Sequence, residues 1–177
     1  MDFEQLKSSV QSDWRALSKW REEAEKEYAF RDGHQWTEAE KAALEENSRV
    51  SVVFNRVQVI IASVSGSEIN NRTEVRFIPR EIGDAKPNEI LTAGAEWFRD
   101  EANAEDEETQ AFEDLLVAGL GWTETLLDYV ADVEGAPRVV RLDPLEMCWD
   151  NHAHRKGLQD ASRAARVRSI PLDEARD

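Results

Sequence analysis

Four residues with metal-ligand chemistry alternate along one stretch of the chain: Cys148, Asp150, His152 and His154. In an extended strand, side chains two residues apart project to the same face, so an extended conformation would align all four. Thiolate, carboxylate and imidazole groups are the ligands that proteins offer to zinc. Consecutive ligands along one strand are an unusual zinc arrangement, however, and no second cluster accompanies them. The end of a strand that runs into a polar loop accounts for the same residues, and we assign no metal ligand here.

Other motifs that carry chemistry are missing from the sequence. It contains no G-K-[ST] phosphate loop, no H-E-x-x-H helix and no G-x-S-x-G elbow. Gly119-Leu120-Gly121 precedes an expected strand, whereas a dinucleotide-binding glycine loop follows one. The three histidines have no serine or cysteine partner at a recognisable spacing. We therefore predict no catalytic residue, no cofactor and a non-enzymatic protein, and a metal-dependent hydrolase is the least favoured alternative.

Charge and composition exclude further classes. The 177 residues include 37 Asp and Glu against 22 Lys and Arg, a net charge of -15, which argues against a free-standing duplex-DNA binder. One cysteine excludes an internal disulfide framework and favours a reducing compartment. No apolar run approaches the length of about 18 residues that a membrane span needs, so we expect no membrane partner.

Two charged stretches are assigned to the surface. The acidic run Glu105–Glu108 is interpreted as a solvated helix face. Basic residues are frequent near the end of the sequence, where they provide either balanced surface charge, the interpretation we favour, or a face for phosphate or an acidic partner: Arg155, Lys156, Arg163, Arg166 and Arg168.

Hydrophobic periodicity predicts an α+β fold that is mainly helical, with a small antiparallel sheet. The first half begins with a long helix over 3–30, in which Asp13 interrupts the apolar stripe and after which Gly33 provides a left-handed turn. A helix-strand-helix region over 37–80 follows. It opens on a capping box from Thr37 to Glu40. Within it we expect strands over 50–54 and 74–79, separated by a helix that Asn55 caps.

The second half is expected to contain acidic helices over 88–119, a β-hairpin over 121–143 and a basic tail over 152–177. Trp97 of the first acidic helix and Phe112, Leu115 and Leu116 of the second are predicted to face the core. A strand is favoured within 161–170. The first turn of another helix is expected over 171–176, with no C-terminal cap after it.

Several short motifs in a fixed order resemble a known family. They are Tyr28 to Trp36 with its Asp32-Gly33-His34-Gln35-Trp36 ending, Asn55-Arg56-Val57, Gly66 to Asn70-Asn71-Arg72, and Gly119-Leu120-Gly121 before the hairpin. Leu142-Asp143-Pro144 follows the hairpin. The order and spacing resemble the N-terminal part of phage portal proteins of the short-tailed (podovirus) type, over nearly the whole chain.

The resemblance implies a structural role. Portal subunits form a ring at one capsid vertex, through which DNA is packaged and ejected, and they carry no catalytic residues. Residues 1–177 would be an incomplete, wing-type N-terminal region, because such subunits are several times longer. The missing part would hold the rest of the wing, the stem helix and the clip, and the gene would be truncated, as in a decaying prophage, or only partly represented.

The partners and location that the resemblance implies follow from assembly of the virion. They are other portal subunits, terminase, scaffolding and head-completion or adaptor proteins, and double-stranded DNA that passes non-specifically through the channel. The protein would reside in the virion, and in the host cytoplasm during assembly. The alternative is a small soluble head-completion or adaptor-like protein that is complete at this length.

Overall fold

The computed structural model describes residues 2–81, 83, 85–130, 132–155 and 157–171, and it divides the chain into two compact units. The first unit comprises Met1–Ser51 and Asp143–Asp177, and the second comprises Val52–Leu142. In chain order the helices are α1 (Phe3–Ala16), α2 (Ser18–Arg31), α3 (Glu38–Glu46), α4 (Arg56–Asn70), α5 (Ala85–Glu101) and α6 (Ala104–Ala118). The strands are β1 (Trp122–Asp128), β2 (Ala136–Leu142), β3 (Met147–Trp149) and β4 (Ala164–Arg166). The predicted α+β class, mainly helical with small antiparallel sheets, is confirmed.

The first helix is shorter than predicted. Two helices, α1 and α2, meet at Leu17, so the single helix expected over 3–30 is wrong. The guanidinium of Arg21 stacks over the Trp14 ring, 3.5 Å from its centroid, and donates to the Trp14 carbonyl. A side chain thereby satisfies a carbonyl near the end of α1. The turn at Gly33 has the positive φ that we expected, 95°.

The two sequence-distant parts of the first unit meet where α1 packs on a small antiparallel sheet. Strand β3 pairs with β4, with Cys148 opposite Ala165, and α1 packs against β3. Trp20 of α2 lies edge-on to Trp149, with ring centroids 5.5 Å apart. The strand expected within 161–170 is therefore confirmed as β4. The helical turn expected over 171–176 lies outside the described residues, apart from Pro171.

The hairpin organises the second unit. Strands β1 and β2 pair antiparallel from Trp122 opposite Leu142 to Asp128 opposite Ala136, as predicted for 121–143. α6 packs against β2, and Ala102, Ala104, Val139 and Phe98 form the core between the helices and the sheet. The second unit is thus two helices laid against one hairpin, with α4 packed on α6.

Two predicted strands are wrong. Residues 49–55 and 72–80 are described without helix, strand, turn or bend. Their large apolar side chains are exposed, among them Phe54 at 81% and Ile78 at 79%. A β-strand is stabilised by its neighbours, and among the described residues neither segment pairs with another strand. The caps around them are confirmed: Asn55 Oδ1 accepts from the Gln58 amide at 3.2 Å, and Thr37 and Glu40 form the capping box.

The buried face of α6 also differs from the prediction. Its buried residues are Ala104, Ala111, Asp114 and Ala118, whereas Leu115 and Leu116 are exposed. Trp97 of α5 is exposed as well. Large residues had been expected to face the core, but the hairpin approaches α6 so closely that small side chains are needed at the contact. α5 starts at Ala85, before the predicted residue 88.

Two glycines of the second unit have opposite surroundings, which gives a matched test. A Cβ placed on Gly121 would lie 2.0 Å from the Ala111 carbonyl oxygen, whereas a Cβ on Gly94, within α5, would meet nothing within 4 Å. Gly121→Ala should therefore lower the free energy of unfolding by about 1–3 kcal/mol through overpacking. Gly94→Ala should raise it by about 1 kcal/mol, because glycine is a poor helix former. Urea denaturation measures both, and a Gly121→Ala protein as stable as the parent would contradict the packing described here.

Candidate functional site

The acidic run of α6 is partly the solvated face predicted from sequence, because Glu105 and Asp106 are exposed, but several carboxylates of this helix also bind other elements. We call Glu105, Glu107, Glu108 and Asp114 the α6 carboxylate cluster. Three of the four lie in or beside the first turn, where negative charge also favours the helix dipole. Each member accepts a hydrogen bond from another element of the second unit. The acidic run is therefore part of the packing of the unit.

Arg72 connects the end of α4 to α6. Its guanidinium donates to the Glu105 carboxylate, to the Glu105 carbonyl at 3.2 Å and to the Thr109 hydroxyl at 2.6 Å. That hydroxyl donates in turn to Glu68 of α4 at 3.0 Å. Arg72 closes the Asn70-Asn71-Arg72 motif, so this part of the family-like pattern marks a helix–helix contact. Ser65 of α4 adds a second link, donating to Glu113 at 3.1 Å.

Arg99 makes the corresponding connection from α5. Two of its nitrogens donate to the two Glu108 oxygens at 2.8 and 2.7 Å, a bidentate pair. This hydrogen bonding raises the pKa of Arg99 above its ordinary value, so the side chain stays charged. α5 and α6 are thus held by a charge pair in addition to the core residues between them.

Arg141 makes the third connection, from β2. Its guanidinium is bidentate to Asp114, with Nη2 2.8 Å from Oδ1, and its backbone N–H donates to Glu107 at 2.6 Å. The Asp114 side chain is only 3% exposed, so the pair lies at the hairpin–helix contact. A buried carboxylate requires such a partner, because an unpaired charge there would be strongly destabilising.

A cleft of about 470 Å³ lies beside these pairs, between α5 and the segment that follows α4. Its polar lining includes Arg72, Arg99, Glu96, Asp100 and Glu105. Both arginines are engaged by carboxylates, and the carboxylates of the lining outnumber them. The cleft therefore does not present the free positive charge that a phosphate or another anionic ligand would need.

The first unit contains a second network, centred on Asp13. Its side chain is 2% exposed, and it accepts from Arg163 Nε at 2.6 Å and from the Asn151 amide at 3.3 Å. Hydrogen bonding to Asp13 raises the pKa of Arg163, which also lies 3.7 Å from Asp150. Asp13, which interrupts the apolar stripe of α1, thus anchors two segments to that helix: the one just after β3 and the one just before β4.

Of the four alternating residues with metal-ligand chemistry, the structure brings Asp150 and His152 into contact, 3.1 Å apart, but it does not assemble all four. Strand β3 ends at Trp149 and the chain turns at 151–152, so the extended conformation that would align the four side chains is not formed. Cys148 is buried, which raises the pKa of its thiol. Asp150 is engaged by the Ser162 hydroxyl at 2.5 Å, and His154 is exposed. Among the described residues, no three His, Cys, Asp or Glu side chains are placed to hold a metal ion.

Two of the basic residues singled out in the sequence are structural. Arg163 binds Asp13, as described above, and Arg166 binds Glu146 at 2.7 Å beside the short β3–β4 sheet. Lys156 lies outside the described residues. Sequence reasoning missed Arg72, Arg99 and Arg141 because each is separated from its carboxylate by 9 to 33 residues. The one local signal was Asp13, a carboxylate within an apolar stripe.

Comparison with known proteins identifies the family. A family model for phage P22-like portal proteins matches residues 7–177, and the chain belongs to this family. The portal protein of Helicobacter pylori bacteriophage KHP30 is 23% identical over 178 residues, which cover 99% of this chain and 29% of that protein. The chain thus spans less than a third of the length of this curated relative. None of the described helices is both long and apolar enough to cross a membrane.

The pair between Asp114 and Arg141 can be tested by removing the charge without changing the shape. Asp114→Asn should lower the free energy of unfolding by about 3 kcal/mol, because it leaves Arg141 partly buried without its counter-charge. Glu74→Gln is the matched control: it removes an exposed pair with Arg76, 2.5 Å long, and should change stability by less than about 0.5 kcal/mol. Equal effects of the two variants in urea denaturation would contradict the structural role of the α6 carboxylate cluster.

The hydrogen bonds to Asp150 predict sensitivity to acid. Hydrogen bonds from the Ser162 hydroxyl and the His152 amide hold the pKa of Asp150 well below its ordinary value. An Asp side chain in the unfolded chain has a pKa of about 3.9. The stabilising contribution of Asp150 is thus complete above that pH and is lost as the pH falls toward the folded-state pKa, because the unfolded chain then binds the extra proton.

Thermal melting between pH 5 and 2 measures this loss. Asp150→Asn should flatten the fall in the midpoint relative to the parent, and Ser162→Ala, which removes the largest cause of the shift, should flatten it in part. If the melting midpoint of Asp150→Asn falls with decreasing pH as steeply as that of the parent, the hydrogen bonds described for this carboxylate do not govern acid stability.

Proposed function

We propose that this chain is a structural segment of the portal ring at a phage capsid vertex, through which genomic DNA is packaged and ejected. The observation that carries the proposal is the family match over residues 7–177, almost the whole chain. We propose further that it forms the N-terminal, wing-type region of a subunit whose stem and clip lie in other residues. The 29% coverage of the KHP30 portal protein supports that part of the proposal.

The chemistry of the described residues supports a structural and not a catalytic role. The four members of the α6 carboxylate cluster each accept a hydrogen bond from an arginine side chain or from a backbone amide. A general acid or base needs a free, positioned group with access to substrate. Residues used in this way hold helices and strands in place, which is the task of a segment of a ring wall.

The exposed apolar surface supports assembly into something larger. Apart from α5, the second unit leaves large apolar side chains exposed on α4 and after β1: Val59, Ile60, Tyr129, Val130 and Val133. Extensive exposed apolar surface marks protein–protein contact sites. Other portal subunits and the remainder of the same subunit are the partners we propose for it, with terminase, scaffolding and head-completion or adaptor proteins contacting the assembled ring.

The charge of the chain fits passage of DNA without capture. A net charge of -15 opposes the phosphate neutralisation on which tight duplex binding depends. Several of its arginines are already paired with carboxylates, including Arg72, Arg99, Arg141 and Arg163. We therefore propose non-specific, transient contact with double-stranded DNA, and a location in the virion, reached by assembly in the host cytoplasm.

Immunogold electron microscopy of phage particles, with antibody raised against this chain, tests the proposal. Empty procapsids and DNA-filled capsids should both carry label at a single vertex, because a portal must be in place before packaging begins. Label on filled capsids alone would support a head-completion or adaptor protein instead. Particles without label, or with label spread over the shell, would overturn the portal assignment.

A further inference from the structure

α5 carries an apolar stripe on its outer side that no described residue covers. Ile90 is 71% exposed and Trp97 is 60% exposed. They are seven residues apart, two helical turns, and therefore lie on one face about 10 Å from each other. Gly94 stands between them at the i+4 position. We call Ile90, Gly94 and Trp97 the α5 outer stripe.

The packing of the described residues does not require glycine at position 94. A Cβ at this position would meet nothing within 4 Å, and its φ is not in the left-handed region. Glycine within a helix lowers stability relative to alanine, so neither space nor backbone conformation explains its presence. Its effect is to leave a notch between two large apolar side chains, where another backbone can approach closely.

The charges around the stripe indicate what would approach. The exposed ionisable side chains of α5 are one base, Lys86, and four acids: Glu89, Glu96, Asp100 and Glu101. The second unit as a whole contains 8 basic and 18 acidic residues. A second copy presenting the same face would meet like charge, which opposes association. A basic partner would be attracted.

We propose that the α5 outer stripe is a docking site for a basic amphipathic helix. The apolar side of the partner helix lies across Gly94 between Ile90 and Trp97, and its Lys or Arg side chains reach the acids beside the stripe. This is the mode in which an amphipathic helix lays its apolar face against a complementary surface. A two-turn spacing of the anchors matches the span over which two crossing helices stay in contact. The proposal does not depend on the assignment to a portal ring.

Calorimetric titration with a synthetic peptide tests the site. The probe is an 18-residue helix former of Leu, Ala and Lys (length chosen as about five turns), with one apolar stripe flanked by Lys. A peptide of identical composition in scrambled order is the control for charge alone. The amphipathic peptide should bind at one site per chain and at least about tenfold more tightly than the scrambled one. Equal binding of the two peptides would overturn the proposal.

Variants of the stripe localise the binding. Gly94→Gln, which fills the notch with a good helix former, and Trp97→Ser should each weaken peptide binding by about tenfold or more, while circular dichroism shows an unchanged fold. Tyr129→Ser, at an exposed aromatic residue outside α5, is the matched control and should bind like the parent. Glu89→Lys combined with Glu101→Lys should weaken binding and reduce its salt dependence.

Two outcomes would reject the site. Gly94→Gln binding within about twofold of the parent would show that no backbone approaches the notch. Sedimentation showing that the chain alone dimerises, and that Gly94→Gln abolishes the dimer, would assign the stripe to a second copy in place of a basic helix. Because neither readout involves phage particles, failure here is distinguishable from failure of the portal assignment.

Discussion

Arginine–carboxylate pairing across α6 is the interaction on which the second unit depends. The buried residues of α6 are three alanines and one aspartate, so α6 itself contributes no large buried apolar side chain to its contact with the hairpin. The bidentate pair of Asp114 with Arg141 lies at that contact, and Arg72 and Arg99 bring α4 and α5 to the same helix. Small residues allow close approach, and charge pairs fix which element approaches where.

The first unit is also held together by a buried pair of a carboxylate and an arginine. Its elements come from both ends of the sequence, and the β3–β4 sheet has only three residue pairs. So short a sheet adds little stability by itself. Asp13 and Arg163 join α1 to the strand region 150 residues away. Near the end of α1, the guanidinium of Arg21 donates to the Trp14 carbonyl. Each unit therefore has a buried carboxylate that orders elements distant in sequence.

These networks explain what the family-like motifs mark. Arg72 ends one motif and clamps α4 to α6, while Gly121 ends another and lies where any side chain would collide with the Ala111 carbonyl. The motifs therefore identify positions needed for packing. The outer surface of α5 is different, because among the described residues its glycine meets no neighbour and its tryptophan is exposed, which is why we propose a partner there.

The sequence by itself determined the local structure and the family. Capping residues such as Asn55 and Thr37, the turn at Gly33 and the alternating strands of the hairpin are recognised within a few residues, since their causes are local. Only the tertiary structure decided that residues 72–80 form no strand, that Trp97 is exposed and that Glu105, Glu108 and Asp114 of α6 bind arginines. In these three cases the outcome depends on a partner that is distant in sequence, and hydrophobic periodicity does not identify that partner.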